Sequence, residues 1–297
     1  WSLDGSKIFF VAAEPRPEDE EKARKDGDDA IFVDEGPNGQ RDGTWTNLWS
    51  LDVGSKEETR LTEEDHRIAS FSVSPNGDQV VFTARTENRR NQQNQAEIHL
   101  LDVTSGETRQ MTDNEAPEGR LTWAPDGRRF VYEAPSDDQW ELRLDKLWIM
   151  DAESGDRRMI SEAFDGNIGS FSWPPDGSAI LFSGLQGTDN NLFRLNVGNG
   201  SVDQVTQAAG SLSPSSFSRD HSRMAYVFQD FDTPADVWVA KTDGSEGRRL
   251  TEVNPRITQE LVLGEGKVIQ WNSADGTEIE GLLMLPPGHD GSSLPML

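Results

Sequence analysis

One short pattern recurs along this 297-residue chain and constrains its fold more than any other feature. It is clearest as Phe171-Ser172-Trp173-Pro174-Pro175-Asp176-Gly177, followed by the alternating stretch Ser178-Ala179-Ile180-Leu181-Phe182-Ser183. Relatives stand at Val73-Ser74-Pro75-Asn76-Gly77 and Trp123-Ala124-Pro125-Asp126-Gly127. Weaker copies are Trp1-Ser2-Leu3-Asp4-Gly5 and Phe217-Ser218-Arg219-Asp220-His221. Pro presets φ at the first corner of a turn, Asp or Asn bonds its own backbone, and Gly takes the positive φ. Alternating apolar residues on both sides make each copy the tip of a β-hairpin.

Two further landmarks keep step with the turn. One is a strand ending in an acidic or polar turn, centred on Trp49, His99, Trp148, Phe193 and Trp238, at separations of 50, 49, 45 and 45. The other is an apolar-hydroxyl step: Leu61-Thr62, Met111-Thr112, Ile160-Ser161, Val205-Thr206 and Leu250-Thr251. Its separations are the same. Each unit has room for about four short strands, the content of one propeller blade. The expected fold is therefore all-β, a β-propeller of four-stranded blades with five repeats visible over residues 1–258. The nine Trp residues fall largely at equivalent repeat positions, which assigns them to packing between blades. The first repeat is overlong: Trp1 and Val73 are 72 positions apart rather than 50. The surplus is an insertion at 14–46, with a helix-compatible run Glu18-Asp19-Glu20-Glu21-Lys22-Ala23-Arg24-Lys25, an apolar step at 31–33 and a loop at 34–43. Such an insertion leaves one end of a blade, where it either meets a partner or substrate or stays solvated.

From residue 259 the repeat stops. Val268-Ile269-Gln270-Trp271-Asn272-Ser273-Ala274-Asp275-Gly276-Thr277-Glu278-Ile279-Glu280-Gly281 reads as two strands joined at Asp-Gly, and Leu282-Leu283-Met284-Leu285-Pro286-Pro287-Gly288 runs on into a polar loop and Leu294-Pro295-Met296-Leu297. The chain opens within a repeat and without Met and closes on an unfinished apolar strand, so both ends read as cut. An uncapped propeller of this kind is expected to aggregate at low salt.

The net charge of −25, from 53 acidic and 28 basic residues, argues against nucleic acid as a partner. Only seven of the basic residues are Lys, which suits a high-salt habitat as well as a merely acidic protein. Without Cys, disulfides, thiolate metal sites and cysteine nucleophiles are excluded. No apolar run approaches the roughly 20 residues that span a bilayer. Compartment, cytoplasmic or periplasmic, stays open.

In its Pro-Asp-Gly blades, the insertion around Asp28-Asp29-Ala30-Ile31-Phe32-Val33-Asp34-Glu35, and the segment Trp271…Asp275-Gly276…Ile279-Glu280-Gly281…Leu285-Pro286-Pro287, the chain resembles the prolyl oligopeptidase family of serine peptidases. The acylaminoacyl-peptidase and dipeptidyl-peptidase-like branches are the most similar. The resemblance implies that residues 259–297 link the propeller to an α/β-hydrolase domain and begin its first strands. It also implies that the propeller covers the active site and admits only short peptides. Some members dock a substrate's amino terminus on propeller carboxylates; Asp137, Asp138 and Glu141, flanking Trp140, are the candidates here. With 53 acidic residues in the chain, chance accounts for their placement better, and they are not assigned as sites.

The sequence holds neither a Gly-x-Ser-x-Gly elbow nor a His-Gly-Gly segment, so no catalytic residue is assigned and the chain alone is expected to be inactive. His66, His99, His221 and His289 are read as packing or surface residues. No metal and no cofactor is expected. Asp26-Gly27-Asp28-Asp29 lacks the Gly and Glu positions of a calcium loop. The expected partners are short peptides and the catalytic domain in cis, with oligomerisation open. The alternatives are a stand-alone Tol-system-like propeller acting as a protein-binding scaffold, and a glycoside-active propeller with paired carboxylates. The segment after residue 258 argues against the first; no singled-out pair supports the second.

Overall fold

The computed structural model describes residues 1–27, 44–89, 92, 94–137 and 139–289. The insertion's apolar step and loop at 31–43, together with Asp28, Asp29, Asp138 and the final run 294–297, lie outside them. The chain forms two compact units, 1–160 and 161–297.

The first unit holds three antiparallel sheets. The first is β1 (Lys7–Ala13), β2 (Thr46–Asp52) and β3 (Glu58–Arg60). The second is β4 (Arg67–Val73), β5 (Gln79–Arg85), β6 (Glu97–Asp102) and β7 (Thr108–Gln110). The third is β8 (Leu121–Trp123), β9 (Arg129–Pro135), β10 (Asp145–Asp151) and β11 (Arg157–Met159). In the second unit come β12 (Asn167–Ser172), β13 (Ala179–Gln186), β14 (Asp189–Asn196) and β15 (Val202–Gln204), then β16 (Ser211–Phe217), β17 (Arg223–Gln229), β18 (Asp236–Lys241) and β19 (Arg248–Arg249). A single parallel bridge, Asn190–Ser211, joins these two sheets. Four of the five sheets are the four-stranded blades that the repeat spacing implies. The first has three strands, because its turn sits at the chain's opening residues, ahead of β1.

The local chemistry follows the turn residues. In all five copies the last turn position has positive φ: Gly5 71°, Gly77 78°, Gly127 64°, Gly177 64° and His221 54°. A histidine in this left-handed region carries strain that Gly would not. It is held by stacking on Phe217, with ring centroids 5.1 Å apart, and by a 3.0 Å contact between its Nε2 and Ser172 Oγ. The turns between third and fourth strands use an Asx cap. Asp52, Asp102, Asp151 and Asn196 each accept two backbone N–H groups through Oδ1. These bonds hold the carboxyls of Asp52, Asp102 and Asp151 below the usual range. Part of the chain's acidity is therefore turn structure.

The alternating strand residues build cores between adjacent blades. Phe9, Leu48, Val80 and Phe82 join the first and second blades, Val81, Leu100, Trp123 and Phe130 the second and third, and Leu181, Leu192, Met224 and Tyr226 the fourth and fifth. Trp123 has the packing role expected of it, and its Nε1 donates to Ser72 O across the blades at 3.0 Å. Trp148 and Trp238 also pack on these cores. Trp1 and Trp271 depart from the expectation. They are largely exposed, because neither lies between two blades of its unit.

After β19 comes α2 (Pro255–Glu260), a helix that crosses the expected boundary between propeller and linker at 258. The final hairpin is β20 (Glu265–Asn272) paired with β21 (Glu278–Leu285) through a turn with Gly276 at φ 89°. It has the expected Asp-Gly connection. No described helix is long and apolar enough to cross a membrane.

Candidate functional site

Up-and-down strand order gives each blade two chemically different ends. One carries the Pro-Asp-Gly turns and the Asx-capped turns, which are tight and internally bonded. The other carries the connections from second to third strand and the crossings to the next blade. This loop end is where side chains are left over for function.

In the first unit the second-to-third connections are long: 14–45, 86–96 and 136–144. The insertion leaves through a closed neck. Glu14 N donates to Trp45 O at 2.8 Å, and Thr44 Oγ1 donates to Glu14 O at 2.9 Å. Glu14 Oε1 accepts from Asn47 Nδ2 and from Arg60 Nη2, at 3.0 and 2.8 Å. Arg67 Nη1 donates to Thr44 O, which ties the neck to the second blade. Beyond it, α1 (Glu18–Lys25) occupies the helix-compatible run and buries none of its residues. Four acids in its first turn and three bases in its last follow the helix dipole.

The connection at 136–144 contains the carboxylates that the family resemblance singled out. Asp137 pairs with Arg143 at 2.9 Å and caps the Gln139 N–H, so its charge is already answered within the loop. Glu141 lies on the 3-10 turn Trp140–Leu142 and is exposed. Asp138 is outside the described residues. The structure thus brings Asp137 to a cation of its own loop and assembles no clamp from the described members.

The histidines lie apart from one another in role. His66 and His99 are buried with ring centroids 5.1 Å apart, and His99 stacks on Phe82. Burial lowers the pKa of both, which favours the neutral rings. Ser172 and His221 make a serine–histidine contact, yet His221 Nδ1 is buried with no hydrogen-bond partner. No acid orients that ring. Ser72, at the same repeat position, accepts Trp123 N through Oγ at 3.3 Å. Both serines link neighbouring blades, and the contact is architectural. Among the described residues no three His, Cys, Asp or Glu side chains gather as a metal site. The hollow of about 470 Å³ between the second and third blades is lined by both Arg109 and Arg128 and by acids, with Arg109 already donating to Ala152 O and Glu153 O.

Sequence reasoning missed Glu118. Its buried carboxylate accepts from Thr112 Oγ1, Ile98 N and Asn114 Nδ2, and burial pushes its pKa up to about 7. The available signal was Glu97, which breaks the pattern set by Asn47 and Asn191 at the same repeat position.

In the second unit the loop end is different. The fourth blade has only the two-residue turn Gly187-Thr188, and the fifth has 230–235. The final hairpin leans on both. Glu280 Oε1 accepts from Thr188 N at 2.8 Å and from Thr188 Oγ1 at 2.9 Å, and the Phe231 ring lies where a Cβ on Gly266 would stand. A side chain at Gly266 would force the Phe231 ring to move. The hairpin leaves Val268, Ile269, Trp271, Leu282 and Met284 between 39% and 59% exposed, an apolar load that a finished surface seldom carries.

With this geometry the chain can be compared with known proteins. No protein-family model matches it. Dipeptidyl-peptidase 5 of Porphyromonas gingivalis is 25% identical over 153 residues, 52% of this chain and 22% of that protein. The acylaminoacyl peptidase of Pyrococcus horikoshii superposes with a TM-score of 0.65 at 18% identity, over 96% of this chain and 42% of that one. The chain has the propeller fold of the prolyl oligopeptidase family. It spans less than half of the peptidase chain that it matches in structure. A putative TolB from Agrobacterium tumefaciens also matches, at 22% identity, over 84% of this chain and 89% of that one, with a lower TM-score of 0.53. The repeated blades are common to both folds, so the peptidase likeness rests on the fuller coverage, which takes in the segment after the fifth blade.

Proposed function

We propose that this chain is the substrate-gating and substrate-selecting propeller of a serine peptidase that cleaves short peptides, with the catalytic residues supplied by an α/β-hydrolase domain in cis. The observation that carries this reading is the hairpin β20–β21. It is anchored on the loop end of the fourth and fifth blades through Glu280 and Gly266, and its other face presents Ile269 and Trp271 for burial against a further domain. In this reading the long connections of the first three blades, on the loop ends of their own unit, filter what reaches the catalytic residues. A scaffold would not require the anchored apolar hairpin.

The test is made on the full-length protein. It should react with a serine-directed phosphonate and hydrolyse short chromogenic peptides while leaving folded proteins intact. Replacing 17–43 by a short Gly-Ser link should raise kcat/KM for long unfolded peptides by about tenfold, with little change for dipeptide substrates. Absence of phosphonate labelling would remove the peptidase reading and leave the scaffold. Labelling with unchanged length selectivity would remove the gating role alone.

A further inference from the structure

The hydroxyl of the apolar-hydroxyl step has a defined task in this fold. In the first, second, fourth and fifth blades it accepts an N–H near the start of the third strand: Leu48 to Thr62, Ile98 to Thr112, Leu192 to Thr206 and Val237 to Thr251. The same hydroxyl donates its proton onward. In the first and fourth blades the acceptor is a neutral amide, Asn47 Oδ1 at 2.8 Å and Asn191 Oδ1 at 2.9 Å. In the fifth it is Asp236, whose charge meets Arg249 through Nε and Nη2.

The second blade departs from this arrangement. Glu97 stands at the Asn position but turns away, its Oε1 accepting Asn114 N at 3.0 Å and its Oε2 buried with no partner. Glu118, from the crossing to the third blade, takes its place. Glu118 Oε2 accepts Thr112 Oγ1 at 2.5 Å and Ile98 N at 3.1 Å, while Oε1 accepts Asn114 Nδ2 at 2.8 Å. The side chain is 1% exposed, and its nearest cation, Arg157, stays 3.8 Å away and half in solvent. Tyr132 of β9 and Glu97 of β6 are the other titratable groups that act on it. Arg120, two residues on, is held by Glu133 at 2.8 Å. A second carboxylate thus stands beside the position that an amide fills in the first and fourth blades, and the nearest guanidinium, Arg157, is farther off than Arg249 is from Asp236 in the fifth. A buried carboxyl beside a second acid keeps its proton to higher pH than it would in water.

We propose that Glu118, with Glu97, is a proton-operated latch on the crossing between the second and third blades. While Glu118 keeps its proton it holds 113–120 against the third strand of the second blade, and when its carboxylate is charged beside Glu97 the crossing is released. The displacement from its ordinary value is dominated by burial, is opposed by Thr112 and Asn114 as donors, and is reinforced by Glu97. The released segment leads directly into β8, the first strand and one edge of the third blade, at the loop end.

Amide hydrogen exchange on the full-length protein, followed from about pH 5.5 to about pH 8.5, tests the latch. Above about pH 7, peptides covering 112–120 should exchange about tenfold faster than intrinsic base catalysis accounts for. E118Q should abolish that excess. E97Q, which removes the neighbouring charge and lets Glu118 ionise earlier, should move its onset about one unit lower. A wild type that tracks the intrinsic rate throughout overturns the proposal, as does an excess retained in E118Q or an onset unmoved in E97Q. Should E118Q fail to fold, the E97Q shift alone decides.

Discussion

The loop ends of the two units are made from the same repeat and put to opposite use. In the first unit, three successive blades send out long connections, the first from a closed neck, and Asp137 is paired with Arg143 within its loop while Glu14 meets Arg60 at the neck. In the second, the fourth blade's connection is pared to Gly187-Thr188, so that Thr188 can hold Glu280 and the hairpin can settle against the blades. A blade's sheet tolerates either, because its stability lies in the cores between blades and in the tight turns at the far end. The loop end is free to vary.

The comparison breaks first if the cores are not what carry stability. Phe182 is buried beneath Phe164 and Phe193, with ring centroids 4.9 and 5.5 Å away. Phe182→Ala should cost about 3–5 kcal/mol in urea unfolding. Removing 17–43 should barely move the melting temperature, since α1 buries nothing. A large loss on that deletion would mean that the insertion is structural.

The units should also part company with pH. Glu118 has a folded pKa of about 7, above its ordinary value of 4.5. Its contribution to stability is therefore fully present below about pH 4.5 and is lost as pH rises through 7, at most about 3 kcal/mol. His66 and His99 are shifted the other way, downward by burial. Their contribution is present above about pH 6.5 and is lost as pH falls through their lowered values. The first unit should accordingly lose protection on both sides of neutrality. Exchange resolved by unit checks this, and equal alkaline loss in the second unit would contradict it.

Two smaller effects sharpen the contrast. Glu280→Ala should lower protection of the Thr188 amide about tenfold and speed proteolysis within β20–β21 while leaving the blades intact. Gly77→Ala, at φ 78° with open space around the added methyl, should cost about 1 kcal/mol from backbone strain alone.

Much of this was legible in the chain. Five turns, five strand centres and five hydroxyl steps in register imply blades, and the positive φ at Gly5, Gly77, Gly127, Gly177 and His221 follows from the turn chemistry. The hairpin was readable at Asp275-Gly276. The Ser172–His221 contact, the Arg143 partner of Asp137 and the Glu97–Glu118 site were not. Ser172 and His221 stand one repeat apart, yet whether their side chains meet, like the other two contacts, depends on the rotamers that turn and loop residues adopt.

What the sequence determined by itself is the architecture, because turn chemistry and alternation are local and act through a few neighbouring dihedrals. Only the tertiary structure decided which acids are spent as turn caps, which are paired and which are buried with a proton. Electrostatic character depends on burial and on partners that distant segments bring, and no local pattern encodes that.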